Sequence, residues 1–180
     1  MQALLCSQNS SKLREFRAAL PGWELELLDA GDYPPEDGAT YVENARGKAE
    51  HGRSVEPEAW LLADDSGIEV AALGGAPGIA TARWAADGVT HLLELLDGVA
   101  DRRARYVCEL VALAPEGREL RGTGVLDGTI ATARSGAGGF GYDPVFVPAG
   151  ETATVAELGD EWKAVNSHRA LAARALLAVS

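Results

Sequence analysis

Apolar positions along this chain run together, alternate or recur at helical spacing, and each pattern predicts an element. Ala3-Leu4-Leu5-Cys6 is an unbroken apolar run, the mark of a short buried strand. The polar stretch Ser7-Gln8-Asn9-Ser10-Ser11 leads into Leu13, Phe16 and Leu20, whose three- and four-residue spacing predicts a helix stopped by Pro21-Gly22. Trp23, Leu25 and Leu27 alternate with Glu24 and Glu26, as in a strand with one wet face. Thr40 followed by Glu43 is a capping-box signature opening a helix through Ala45, Lys48 and Ala49. Trp60-Leu61-Leu62 predicts another buried strand, with its carboxyl end at the abrupt change to Ala63-Asp64-Asp65-Ser66-Gly67 and a further short strand at Ile68-Glu69-Val70-Ala71. Gly74-Gly75-Ala76-Pro77-Gly78 forces an irregular turn, and Leu92, Leu93, Leu95 and Leu96 mark a helix ending near Gly98. Tyr106 to Ala114 and Arg118 to Leu126, joined by Pro115-Glu116-Gly117, predict an antiparallel hairpin. The chain closes on an Ala/Leu-rich helix capped by Asn166 or Ser167. Strand, loop and helix in alternation, with a hairpin added, predict an α/β fold with a mixed sheet.

Length and composition narrow this reading. A chain of 180 residues suits one domain, and no linker, repeat or low-complexity tract divides it. Hydrophobic residues at 47% and charged residues at 24% are those of a globular protein. No apolar run is long enough to span a bilayer, and the start lacks the basic region of a signal peptide, so the expected location is the cytoplasm. A net charge of −11 argues against a nucleic-acid polymer as partner, because duplex binding needs clustered Lys and Arg. An anionic ligand must then be small and met by a local basic cluster. Cys6 and Cys108 lie in apolar runs, where a thiol behaves as a small buried hydrophobe rather than a disulfide or zinc ligand.

Five stretches carry candidate chemistry. Asp64 and Asp65, adjacent at an expected strand end, repel unless water or a cation screens them; a hard ion such as Mg2+ suits their oxygens, and one carboxylate can serve as base for water. An Asx turn with a solvated acid pair explains them equally well. The loop Ser7 to Ser11 offers hydroxyls, an amide and helix-start N–H groups to an anion, with Lys12 adding charge, although capping by Asn9 or Ser10 is the simpler account. Glu36 and Asp37, ahead of the second helix, are solvated loop acids or a further oxygen for a metal. Gly136-Ala137-Gly138-Gly139-Phe140-Gly141-Tyr142-Asp143-Pro144 lets backbone approach a ligand closely and offers flat rings for a base, while Phe140 can equally plug a core. His168 and Arg169 fall in the first turn of the last helix, where the dipole disfavours cations, and that placement is better explained if they face an anion.

Taken together, Ser7-Gln8-Asn9-Ser10-Ser11-Lys12, Glu43-Asn44-Ala45 with Lys48, Ala63-Asp64-Asp65-Ser66-Gly67, Gly75-Ala76-Pro77-Gly78 with Ala82-Arg83, Gly139-Phe140-Gly141-Tyr142-Asp143-Pro144 and Ser167-His168-Arg169 form an ordered set spanning the chain. This set resembles the non-canonical purine nucleoside triphosphate pyrophosphatases, which act on inosine and xanthosine triphosphates. The resemblance implies a homodimeric α/β protein with an elongated mixed β-sheet and flanking helices forming two lobes around a nucleotide cleft. It implies Mg2+-dependent hydrolysis of ITP, dITP or XTP to the monophosphate and pyrophosphate. By position it makes Asp65 the general base and a metal ligand, with Glu36 and Asp64 as further metal ligands. Ser7, Gln8, Asn9, Ser10, Ser11 and Lys12 would hold the triphosphate with Lys48, and Ser66 would touch substrate. Phe140, Gly141, Tyr142, Asp143, Lys163, His168 and Arg169 would complete the nucleotide pocket. The chain departs from the family's usual Thr-Gly-Asn at the first loop, where it has Ser7-Gln8-Asn9, and from Glu-Thr-Gly before the capping box, where it has Glu36-Asp37-Gly38.

Charge gives the mechanism its outline. A triphosphate needs cations on its oxygens, here Lys12, Lys48 and Lys163, and an in-line water that Asp65 can deprotonate. Arg169, helped by His168, would favour six-oxo purines by donating to O6 and N7. Two rival readings are a Maf-type pyrophosphatase, whose usual first loop is rich in Ser, Pro and Arg, and a non-catalytic nucleotide-binding module.

Overall fold

The computed structural model describes residues 1–179. The elements follow in the order β1 (Gln2–Leu5), α1 (Ser10–Ala19), β2 (Glu24–Leu27), α2 (Tyr41–Val55), β3 (Trp60–Val70), α3 (Gly88–Leu95), β4 (Arg103–Leu113), β5 (Glu119–Ile130), β6 (Phe146–Pro148), α4 (Val155–Asn166) and α5 (His168–Leu177). The strands form one sheet in the order β2-β1-β3-β4-β5-β6. β1 pairs in parallel with both β2 and β3, while β5 and β6 run antiparallel, so the sheet is mixed as expected.

Local signals account for most boundaries. Asn9 caps α1 by accepting from the Ser11 and Lys12 amides, and Leu13, Phe16 and Ala19 form its buried stripe. Thr40 and Glu43 complete the capping box of α2, whose buried face carries the small residues Ala45, Ala49 and Gly52. That face lies close to its neighbours: a Cβ at Gly52 would come within 2.5 Å of Cys6 Sγ and 3.0 Å of a Leu28 methyl.

One expectation is corrected. β3 does not end at Ala63; it continues through Asp64, Asp65, Ser66 and Gly67 to Val70 as a single strand of 11 residues. The change to acids marks a site on the strand instead of its end, because both aspartates are buried and partnered. Two elements had no forecast. α4 opens on a second capping box, Thr154 with Glu157, and β6 has three residues, too few for a periodic signal.

The chain forms two compact units. The first comprises Met1–Asp65, Cys108–Gly124 and the segment from His168 onward; the second comprises Ser66–Val107 and Val125–Ser167. The first unit has a core on each side of its strands. One contains Leu5, Phe16, Leu20, Leu62, Leu110 and Leu176; the other contains Cys6, Ala45, Ala49, Leu61, Ala63 and Val111. Burial on both faces explains why β3 reads as continuous rather than alternating apolar sequence. The second unit is built on Ile68, Val70, Leu92, Leu96, Tyr106 and Phe146. Cys6 and Cys108 are fully buried free thiols, and burial pushes the Cys6 thiol up to about 12 and that of Cys108 higher still.

Candidate active site

The first unit gathers acids and cations from α1, α2, β3 and α5 around the carboxylates of β3. Asp64 is the hub. Lys12 Nζ lies 2.9 Å from its Oδ1, and Arg169 Nε lies 3.4 Å from its Oδ2. Burial alone would raise the Asp64 pKa, but Lys12, Arg169 and Lys48 outweigh it and hold the carboxyl well below the usual range. Arg169 also reaches Glu15 Oε2 at 3.2 Å, and its own pKa is raised despite burial by Asp64 and Glu15. The Arg169 side chain is only 5% exposed. Between two acids, it completes a buried charge network.

Asp65 has a different environment. Its Oδ2 accepts from Asn44 Nδ2 at 2.9 Å. Burial pushes its pKa up; Lys48 and the Asn44 hydrogen bond oppose this, while Glu36 and Asp64 add to it. Adjacent aspartates on one strand point to opposite faces, which is how the fold ties one to fixed cations and leaves the other a more basic carboxylate. Lys48, 7% exposed, binds Glu36 Oε1 at 2.6 Å. Burial alone would lower its pKa, but Asp64, Glu36 and Asp65 raise it, keeping the ammonium charged.

The first loop resolves into a cap. Asn9 Oδ1 takes the Ser11 and Lys12 amides at 2.9 and 3.3 Å, Ser7 Oγ accepts from the Asn9 amide at 3.1 Å, and Gln8 Nε2 donates to the Gly31 carbonyl at 2.9 Å. The Gln8 side chain, which replaces the family's glycine, is therefore directed to Gly31. Ser10 and Ser11 begin α1, and Lys12 is turned inward to Asp64 rather than spread on the surface. Ser66 follows Asp65 on β3, half-buried.

The second unit contains its own charged cluster. Asp143 Oδ2 accepts from Lys163 Nζ at 2.7 Å and from the Phe140 amide at 2.9 Å, while Tyr106 donates to Oδ1 at 3.2 Å. The Lys163 ammonium lies 4.7 Å from the Phe140 ring centroid, within cation–π range. Gly139, at φ +73°, allows the Asp143 carboxylate to pack against the loop where a Cβ would collide with it. Gly141 is exposed and Tyr142 buried. His168, in the first unit, is buried at the first position of α5.

The sequence motifs thus converge as two clusters, one per unit. Glu15 and Tyr106 are not among the residues the sequence singles out, and Asn44 stands out there only within the Glu43-Asn44-Ala45 motif. Glu15 stands three residues after Lys12, on the same helix face, which is a readable signal; Tyr106 has none, since its pairing with Asp143 joins residues 37 apart.

Fold and site together define a mixed α/β protein in which lysines, an arginine and carboxylates are concentrated on the strands and helices of one unit. The sequence model of the Ham1 family matches residues 3–179, and the chain belongs to that family. It is 39% identical to a dITP/XTP pyrophosphatase of Bdellovibrio bacteriovorus, covering 98% of this chain and 96% of that protein. A dITP/XTP pyrophosphatase of Exiguobacterium is 42% identical, covering 98% and 95%. Among solved structures, the Ham1 protein of Staphylococcus aureus aligns with a TM-score of 0.86 at 34% identity, over 99% of this chain and 97% of that one. A HAM1 protein from Coxiella burnetii gives 0.86 at 35% identity, over 99% and 98%.

Proposed function

We propose that this protein hydrolyses purine nucleoside triphosphates with a non-standard base, dITP and XTP together with ITP, to the monophosphate and pyrophosphate. The observation that carries this reading is the unlike surroundings of two adjacent carboxylates: Asp64 lies 2.9 Å from Lys12 and 3.4 Å from Arg169, while Asp65 accepts from the neutral Asn44 amide at 2.9 Å and burial pushes its pKa up. A carboxylate of raised basicity beside fixed cations is what attack of water on a polyanion requires. Lys12 and Lys48 each spend part of their donor capacity on an acid, which orients them, and an ammonium has three donors, so each can also meet a phosphate oxygen. Asp65 takes the proton of the attacking water. No covalent intermediate is needed.

Mg2+ is the metal this chemistry implies, and the residues fit it. Asp65 and Glu36 are oxygen donors that influence one another electrostatically. Among the described residues no group of three His, Cys, Asp or Glu side chains gathers to hold an ion. Mg2+ commonly needs no more than one or two carboxylates, taking its remaining ligands from water and substrate phosphates. Asp64 fits less well, because its oxygens face Lys12 and Arg169. When bound, the ion would neutralise charge on the phosphate oxygens and on the departing pyrophosphate. The family resemblance also supports a homodimer, a cytoplasmic location and base contacts by Phe140, whose ring is partly exposed in the second unit.

Incubation with dITP, XTP, dATP or dGTP, with and without Mg2+, tests the reading by direct assay of products. The expected result is pyrophosphate release from dITP and XTP that stops in a chelator. Orthophosphate as first product, full activity in the chelator, or tight binding of dITP without turnover would each overturn it.

A further inference from the structure

The geometry points to Asn44 as a positioning residue that clasps the Glu36–Thr40 loop to Asp65. Its two amide atoms serve different partners: Nδ2 donates to Asp65 Oδ2 at 2.9 Å, and Oδ1 accepts from the Gly38 amide at 2.8 Å. The neighbouring residues of α2 extend the same contact. Glu43 Oε2 accepts from the Ala39 and Thr40 amides at 2.7 and 3.1 Å, and Lys48, one turn beyond Asn44, binds Glu36 at 2.6 Å. Consecutive loop amides are thus held by consecutive helix side chains, and Asn44 continues the chain of hydrogen bonds into β3. Asparagine is a poor choice inside a helix on propensity, and at 5% exposure it cannot be serving solvent. A buried amide with both ends used is better explained by what it joins.

Gly38 is the other half of the device. A Cβ there would come within 2.7 Å of Asn44 Oδ1 and 2.9 Å of Glu43 Cβ, so only glycine lets the loop sit this close. The clasp therefore fixes two things at once: the orientation of the Asp65 carboxylate, and the position of the loop that carries Glu36. This inference rests on Asp65 acting as the base of the proposed reaction.

Kinetics with dITP and Mg2+, together with hydrogen exchange at the Gly38 amide, test it on the full chain. Asn44→Ala should lower kcat about 10–100-fold, the usual effect of removing a partner that orients a catalytic ligand, with a smaller change in KM, and should speed Gly38 exchange. Asn44→Asp keeps an oxygen for Gly38 but loses the donor to Asp65, so kcat should fall while Gly38 stays protected. Gly38→Ala leaves Asn44 and Asp65 chemically intact yet should lower kcat as well. In the double variant Gly38→Ala/Asn44→Ala the combined loss should be well short of the product of the two single losses, because both disturb the Gly38–Asn44 contact while only the Glu43 Cβ contact at residue 38 remains separate. The inference is overturned if Asn44→Ala changes only thermal stability, if Gly38 exchange is unaltered in that variant, or if the two losses multiply. A wild-type protein that does not turn over dITP would instead overturn the proposed function, with the exchange measurements still reporting on the clasp.

Discussion

At the scale of the residue, two adjacent aspartates have been given opposite tasks by their partners. Asp64 is fully buried with Lys12 and Arg169 against it, so Asp64→Asn strands buried cations. Removing one partner of such a group typically costs about 3–5 kcal/mol. The folded-state pKa of Asp64 lies below its unfolded value, so its contribution is present above the unfolded value and is lost as pH falls through the folded one. Chemical denaturation should therefore show the full wild-type advantage over Asp64→Asn at pH 7 and a shrinking one below about pH 4. Asp65 has the opposite sign. Its folded pKa is raised, so stability falls as pH rises from the unfolded to the folded value, and the ionised carboxylate is a burden above both. Asp65→Asn should consequently raise the melting temperature of the ligand-free protein at neutral pH, and the gain should disappear in acid. The same variant should lose about 10²–10⁴-fold in kcat with dITP while still binding it, since an amide cannot accept the water's proton. A destabilised neutral-pH protein would contradict the stability argument, and near-normal turnover would remove Asp65 from the base role.

At the scale of the element, the first unit depends on close approach of helix to strand. Gly122 and Gly124 of β5 leave room for the backbone of α5: a Cβ at Gly124 would fall on the His168 carbonyl and the Ala172 amide, and one at Gly122 on the Ala172 carbonyl. Neither neighbour is a side chain that can swing away. At Gly52 the obstacles are the Cys6 sulfur and a Leu28 methyl, which can shift somewhat. Overpacking of this kind costs about 1–3 kcal/mol, so Gly52→Ala should fall within that range by urea denaturation and Gly124→Ala should exceed Gly52→Ala. Because α5 begins with His168 and Arg169, Gly124→Ala should also depress turnover, whereas Gly52→Ala should do so less. Equal stability losses would mean that α5 can move off the strand freely. Arg53, unremarkable in sequence, secures the end of α2 by donating to the carbonyls of Ala59, Leu113 and Ala114 at 2.8–3.0 Å.

At the scale of the whole molecule, a net charge of −11 accompanies a small set of buried and half-buried cations. A local cluster can hold a compact polyanion that the surface as a whole repels, and it offers no stripe for a duplex. Titration with duplex DNA should give no electrophoretic shift even at low salt, and a shift that weakens steeply with salt would contradict the charge argument. No helix among the described residues is long and apolar enough to cross a membrane.

Sequence by itself determined what depends on near neighbours in the chain. Helix starts at Asn9 and Thr40 were legible because a cap and its amides lie within three residues, and the mixed sheet was legible from apolar runs and one hairpin turn. The α4 start at Thr154 carries the same capping-box signal, Thr154 with Glu157 three residues on. The motif order along the chain placed Asp65, Lys12 and Lys48 among the candidate residues. Tertiary structure alone decided what each acid and cation does. It carried β3 through the aspartates, turned Lys12 to Asp64, 52 residues away, and set Arg169, 105 residues away, between Asp64 and Glu15. The reason is physical: whether a carboxylate is a fixed anion or a base depends on burial and on charges a few ångströms off, and those neighbours come from distant segments that no local pattern relates.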